Sequence, residues 1–221
     1  MLQHVWERCG ESAATEVIIA TDSERVAAAA RGFGAEVCMT SARCSSGTER
    51  VAEVCSQLHW GPDDVIVNVQ GDAPLLPAAS INRVAELLAE HHAAAMGTLC
   101  TPLGSRAEYS DPNVVKVVFD SGGRALYFSR AAIPAAGHGS SAPLKLAHRH
   151  LGLYAYRVAA LDALSTAGSC ALERAERLEQ LRALWLGLEI RIAVDNATHG
   201  PDVDTAEDLA RVAELLQGTQ S

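Results

Sequence analysis

Apolar residues recur along this chain in two rhythms, and the rhythms take turns. Leu2, Val5, Trp6 and Cys9 fall at helical spacing, whereas Glu16-Val-Ile-Ile-Ala20 is too short and too β-branched for a helix of its own, so a helix followed by a strand opens the chain. Thr21-Asp22-Ser23 supplies capping oxygens for a helix through Ala30, Gly32 and Gly34 stop it, and Ala35 to Met39 reads as the next strand. The alternation continues with a helix at about Thr48 to Leu58, a strand Val65 to Val69, a helix at about Ala79 to His91 and a strand Met96 to Thr101. Strands and helices taking turns in this way predict an α/β fold, a mostly parallel sheet flanked by helices.

After Pro102 the pattern changes. Val114 to Phe119 and Ala125 to Ser129 flank Ser121-Gly122-Gly123, a hairpin signal, because glycine enters the positive-φ region of tight turns without a Cβ clash. Pro134 to Pro143 is dense in Gly, Pro and Ser and predicts a flexible connection within the domain. Beyond it come a strand His150 to Tyr156, one long helix at about Leu172 to Leu186, a strand Ile190 to Val194 and a last helix from Thr205 to Leu216. A single domain over 1–221 with a β-rich insertion at about 102–160 is the expected organisation.

Composition narrows the function classes. With 221 residues, 48% hydrophobic and 20% charged, the chain can bury a substantial core. Its 18 Lys and Arg against 27 Asp and Glu give a formal charge of −9, so no global attraction draws it to a phosphate backbone or an anionic membrane; neither partner is expected. The six cysteines, at 9, 38, 44, 55, 100 and 170, form no Cys-x-x-Cys pair, and reduced thiols in a cytoplasmic protein are the expectation. Met1 to Gly10 carries Glu7 and Arg8 among its apolar residues and no run of about 18 apolar residues occurs, so neither a signal peptide nor a membrane span is expected.

Several strings carry candidate chemistry. Gln70-Gly71-Asp72 follows a strand of buried parallel type, and ligands of open α/β sheets sit beyond such carboxyl ends. Asp72 there is a candidate ligand for Mg²⁺, although Gly71-Asp72-Ala73-Pro74 reads equally well as a turn. Ser46-Gly47-Thr48-Glu49-Arg50 lies at a loop-to-helix junction, where free N–H groups favour an anionic ligand; a capping box between Ser46 and Glu49 is the stronger local reading. Asp204 can cap the last helix or supply a second metal contact. His148 and His150 share one strand face but lack a third ligand for zinc. Glu173, Glu176 and Gln180, interleaved with Arg174, Arg177 and Arg182, read as a solvated, salt-bridged helix face. No Gly-Lys dipeptide exists, which excludes a Walker A loop, and Gly32-x-Gly34 lacks the next glycine of a dinucleotide fingerprint.

Together, and in this order, Ser-Gly-Thr-Glu-Arg50, Val-Asn-Val-Gln-Gly-Asp72-Ala-Pro, Asp-Pro-Asn113-Val-Val-Lys116, Tyr127-Phe-Ser-Arg130-Ala-Ala-Ile-Pro134, Arg149-His150-Leu-Gly-Leu-Tyr154, Leu178-Glu-Gln-Leu-Arg182 and Val203-Asp204-Thr205 are far more specific than any one string. From Leu2 to Leu216 the chain resembles the 3-deoxy-manno-octulosonate cytidylyltransferases, the CMP-KDO synthetases of lipopolysaccharide biosynthesis. The resemblance implies a Rossmann-like nucleotidyltransferase, a homodimer that uses Mg²⁺ to couple CTP to the sugar acid KDO with release of pyrophosphate. It implies metal-binding, catalytic roles for Asp72 and Asp204, and nucleotide binding by Ser46, Gly47, Arg50 and Gln70. It places Arg130, His150, Tyr154, Glu179 and Gln180 on the side that receives the sugar acid, Arg130 offering a planar fork to its carboxylate. Family members begin with a further strand and a basic triphosphate-binding loop, so an N-terminally incomplete domain is expected, with strands around Val17 and Val67 left with unpaired edges. Ala73 stands where family members usually carry Glu, and Cys44 where they often carry His. A truncated, non-catalytic paralogue that binds sugar acid or dimerises without turnover is the alternative.

Overall fold

The alternating rhythms become, in a computed structural model that describes residues 1–137 and 143–218, the elements α1 (Leu2–Gly10), β1 (Ile18–Thr21), α2 (Glu24–Gly32), β2 (Glu36–Met39), α3 (Gly47–Leu58), β3 (Val65–Asn68), α4 (Ala78–Glu90), β4 (Met96–Pro102), α5 (Arg106–Ser110), β5 (Lys116–Phe119), β6 (Ala125–Ser129), a 3-10 turn (Leu144–Leu146), β7 (His148–Arg157), α6 (Val158–Thr166), α7 (Ala171–Glu176), α8 (Gln180–Trp185), β8 (Ile190–Val194) and α9 (Ala206–Gly218). The part of the predicted flexible connection at 138–142 lies outside the described residues. The chain divides into two units, one formed by 1–60, 68–82 and 197–221, the other by 61–67 and 83–196.

In the first unit β1 and β2 pair in parallel, from Ile18 opposite Glu36 to Thr21 opposite Met39. The crossover between them is α2, whose N-cap Ser23 accepts from the Val26 N–H, as the Thr-Asp-Ser string predicts. Ile19, Ala30 and Ala35 form a buried cluster against which Leu2, Trp6, Phe33 and Val37 pack, so the apolar stripe of α1 finds its partner. Trp6 and Phe33 meet with ring centroids 5.5 Å apart.

The second unit holds a six-stranded sheet ordered β6-β5-β7-β4-β8, with β3 beside β7. The α/β architecture is as expected, but the sheet is mixed rather than mostly parallel. β4 and β8 are parallel, whereas β7 runs antiparallel to both β4 and β5, and β5 antiparallel to β6. Apolar periodicity carries no direction, so it cannot say which way a strand returns after a long loop. Among the described residues β1 pairs only with β2, and β3 only with β7, so each keeps one edge without a strand.

Two glycines are dictated by close approach. Gly123, at φ +80° in the β5–β6 hairpin, has the Ile192 carbonyl where a Cβ would sit 2.9 Å away. At Gly97 on β4 a Cβ would lie 3.0 Å from the Val84 carbonyl and 3.3 Å from the Leu87 Cβ, so α4 packs directly on the strand backbone.

The predicted long helix at Leu172 to Leu186 is in fact two. Cys170 and Glu173 close a capping box on α7, and Arg177 then turns left-handed at φ +54° before α8 begins. The predicted solvated face is corrected with it. Arg182 reaches back to grip the Glu173 carboxylate with side chains only 10% and 13% exposed, Glu176 accepts from the Ser129 hydroxyl and Arg130 N–H, and Gln180 is buried. Helices α5 and α6 and the 3-10 turn add to the elements read from sequence. No described helix is long and apolar enough to cross a membrane.

Candidate active site

Six of the predicted site residues belong to the first unit and five to the second. In the first, Arg50 stands over the carboxyl ends of the parallel pair: its guanidinium donates to the Thr40 hydroxyl just past β2 and to the Asp22 carboxylate just past β1, the latter at 3.2 Å. That is the end of a parallel sheet where a ligand is received. Ser46 caps α3, its hydroxyl accepting from the Glu49 N–H at 3.2 Å, while the Glu49 carboxylate takes the Ser45 N–H and hydroxyl. Gly47, the first residue of α3, lies against Asn68 at the end of β3; a Cβ there would sit 3.5 Å from the Asn68 amide nitrogen. The capping of Ser46 is realised, and the α3 N-terminus it organises faces the same strand end.

Gln70-Gly71-Asp72-Ala73 closes a turn through the Ala73 N–H to the Gln70 carbonyl, with Gln70 and Gly71 exposed. The turn reading holds at this string. The Asp72 carbonyl accepts from the Val203 N–H at 2.8 Å, so the loop that carries Asp204 is fastened directly to Asp72. Asp204 does not cap α9. Thr205 does, its hydroxyl accepting from the Asp208 N–H while the Asp208 carboxylate takes the Thr205 N–H and hydroxyl. The Asp208 carboxyl is held below its usual range, chiefly by the Thr205 hydroxyl. Among the described residues the Asp204 carboxylate has no ion-pair or hydrogen-bonding partner, and Asp72 Oδ1 is a buried oxygen with none.

That orphaned oxygen tests whether the donor set fits a metal ion. A carboxylate oxygen removed from water without a partner is costly, and a hard divalent cation is one partner that would satisfy it. Among the described residues no cluster of three or more His, Cys, Asp or Glu side chains is placed to hold a metal. Two carboxylates on adjoining loops, with remaining positions left to water and phosphate oxygens, is the donor set that suits Mg²⁺.

In the second unit His150 and Tyr154 on β7 face each other with ring centroids 5.3 Å apart, and Phe128 meets His150 edge-on at 5.0 Å. Burial of the ring pushes the His150 imidazolium pKa down to about 3, so the imidazole is neutral at physiological pH. Burial, the neighbouring Tyr156 and the Glu179 charge raise the Tyr154 phenol well above its ordinary value, which keeps its O–H as a donor and places Glu179 within electrostatic reach. Gln180 follows Glu179 at the start of α8. Arg130 is engaged with main chain: it donates to the carbonyls of Glu176 at 2.8 Å, Pro112 at 3.0 Å and Arg177 at 3.5 Å, leaving two of its five N–H groups for a ligand. It thereby clamps the α7–α8 turn that presents Glu179 and Gln180.

Sequence reasoning passed over the residues that hold this arrangement. Lys116, fully buried, donates to the carbonyls of Asp111, Val114 and Arg130 at 2.7, 2.5 and 2.7 Å, and burial lowers its pKa. It is one of only two lysines, and its place in the Asp-Pro-Asn-Val-Val-Lys string is the signal that could have found it. Glu176 was visible only as a member of a charged helix, and Arg182 as that and as the last residue of the Leu178-Glu-Gln-Leu-Arg string.

An α/β fold with unengaged carboxylates on adjoining loops, a cation over a parallel strand pair and a polar aromatic cluster suits a nucleotide-handling transferase. A family model described as "Cytidylyltransferase" matches residues 1–190, and the chain belongs to that family. It is similar to the 3-deoxy-manno-octulosonate cytidylyltransferase of Thioalkalivibrio sulfidiphilus, 49% identical over 98% of this chain and 88% of that protein. The enzyme of that name from Marinobacter nauticus is 46% identical over 98% of this chain and 87% of its own. A solved structure of a CMP:2-keto-3-deoxy-manno-octonic acid synthetase complexed with CTP superposes with a TM-score of 0.90 at 36% identity, covering 99% of this chain and 88% of that one.

Proposed function

We propose that this protein transfers CMP from CTP to 3-deoxy-manno-octulosonate (KDO), releasing pyrophosphate, with Mg²⁺ held by Asp72 and Asp204, as a cytoplasmic homodimer that supplies an activated sugar for lipopolysaccharide. The observation that carries the reading is the fastening of Val203 to Asp72, which sets two unengaged carboxylates, one with a buried orphan oxygen, on adjoining backbone. The 49% identical relative and the CTP-bound structure, named for this reaction, support it.

When bound, Mg²⁺ supplies charge neutralisation at the phosphates and polarises the α-phosphoryl group. The chain's own residues do the rest by positioning. Arg50 and the α3 N-terminus meet the nucleotide with positive charge and N–H donors. The two uncommitted N–H groups of Arg130 take the sugar carboxylate, and neutral His150 and the Tyr154 O–H hold sugar hydroxyls. The anomeric hydroxyl then attacks the α-phosphorus, giving up its proton to solvent, as the bond to the leaving pyrophosphate breaks, and no covalent enzyme intermediate is needed.

The purified chain with CTP, KDO and Mg²⁺ is expected to form CMP-KDO and pyrophosphate in equal amounts, read by mass spectrometry. Binding of KDO without product would favour the non-catalytic alternative and refute transfer.

A further inference from the structure

The pairing of β4 with β7 breaks at one place. Thr98 lies opposite Tyr154 but its neighbour Leu99 lies opposite Leu151, so Gly152 and Leu153 have no partner on β4 and β7 bulges. On a regular strand, at roughly 3.3 Å per residue, His150 and Tyr154 would stand about 13 Å apart. Across the bulge their ring centroids lie 5.3 Å apart.

The side chain at the break is Thr98, fully buried, with Oγ1 2.8 Å from the Leu153 carbonyl, 3.1 Å from the Leu151 carbonyl and 3.0 Å from His150 Nε2. A hydroxyl has one proton and a carbonyl can only accept. The proton therefore goes to the bulge carbonyls, Oγ1 meets the imidazole with a lone pair, and Nε2 must be the nitrogen that carries hydrogen. Nδ1 is then the lone-pair nitrogen, and among the described residues no hydrogen-bonding group meets it.

We propose that Thr98 is a positioning residue of the sugar-acid half: by bonding both the bulge and His150 Nε2 it fixes the imidazole as the Nε2–H tautomer, so that Nδ1 offers a fixed acceptor to one hydroxyl of the sugar acid. The proposal rests on the cytidylyl-transfer reading for its ligand. It adds a selectivity consequence, since an analogue lacking that hydroxyl leaves Nδ1 unpaired and is disfavoured.

The test is the imidazole ¹⁵N spectrum of histidine-labelled full-length protein, with His150 assigned by its loss in His150→Gln. The wild type is expected to show a protonated-type Nε2 and an unprotonated-type Nδ1, and added KDO is expected to shift Nδ1. Thr98→Val, which keeps shape but removes the hydroxyl, is expected to lose the single-tautomer pattern and raise the KM for KDO about tenfold with kcat and the KM for CTP nearly unchanged. Thr98→Ser restores both. A wild type with hydrogen on Nδ1, or an Nδ1 resonance indifferent to KDO, overturns the proposal, and so does a Thr98→Val protein that keeps the wild-type tautomer. A wild type that shifts Nδ1 with KDO yet makes no CMP-KDO supports the proposal while refuting the transfer reading, so the two failures are separable.

Discussion

Removing the Arg182 guanidinium should cost the protein more at pH 7 than at pH 5, and the difference follows from its surroundings. Arg182 donates to the Glu173 carboxylate through Nε at 2.8 Å and through Nη2, and Nη1 reaches the Leu164 and Ala167 carbonyls at 2.9 and 3.5 Å. The hydrogen bonds from Arg182 hold the Glu173 carboxyl below its ordinary 4.5. In Arg182→Met the buried carboxylate has lost its cation and is expected to take up a proton. At pH 7 that step costs about 3.4 kcal/mol from the ordinary value, at about 1.36 kcal/mol per pH unit. Loss of the carbonyl bonds adds about 1 kcal/mol. The sum lies within the roughly 3–5 kcal/mol seen when one partner of a buried pair is removed. At pH 5 the protonation step costs only about 0.7 kcal/mol, so the penalty should fall to about 2 kcal/mol. The contribution of the wild-type Arg182–Glu173 pair barely changes over this window, because a depressed carboxyl contributes fully above its unfolded pKa and loses its contribution only as pH falls through the lower folded value; the buried neutral His150 destabilises both proteins alike as pH falls and cancels in the difference. Urea unfolding of both proteins at the two pH values reads the effect. A penalty under about 1 kcal/mol at pH 7, or one equal at both pH values, refutes the reasoning.

Lys116→Met should destabilise by about 3 kcal/mol, since it strands three part-buried carbonyls, and should raise the KM for KDO by loosening Arg130; an unchanged urea midpoint would contradict this. Gly97→Ala, with backbone at 3.0 Å from the new methyl group, should cost about 1–3 kcal/mol and lower the melting temperature; a neutral or stabilising result would mean that α4 shifts freely on β4.

Local chemistry was legible where one residue type does one job. Ser23 caps α2, Gly123 takes the hairpin's positive φ, and the Leu2–Trp6 stripe buries against Phe33, all as the pattern requires. The break at Arg177 was not legible, because a left-handed arginine between helix-forming residues leaves no compositional mark; it persists through long-range bonds from Arg182 and Arg130. The bulge in β7 was hidden for the same reason. Gly152 permits it, but the Thr98 hydroxyl that bonds its carbonyls lies more than fifty residues earlier in the chain. Of the candidate site, sequence order singled out the residues, yet the unengaged state of Asp72 and Asp204 and the main-chain duties of Arg130 are properties of packing that spacing does not express.

The most direct measurement is pyrophosphate release from CTP and KDO as Mg²⁺ is titrated, in the wild type and in Asp72→Asn, with circular dichroism as the folding control. The account predicts saturable dependence on Mg²⁺ in the wild type and a loss of roughly 100-fold or more in a folded Asp72→Asn protein, the scale of removing a metal's phosphate stabilisation. A folded Asp72→Asn protein that keeps its rate and its Mg²⁺ dependence would contradict it.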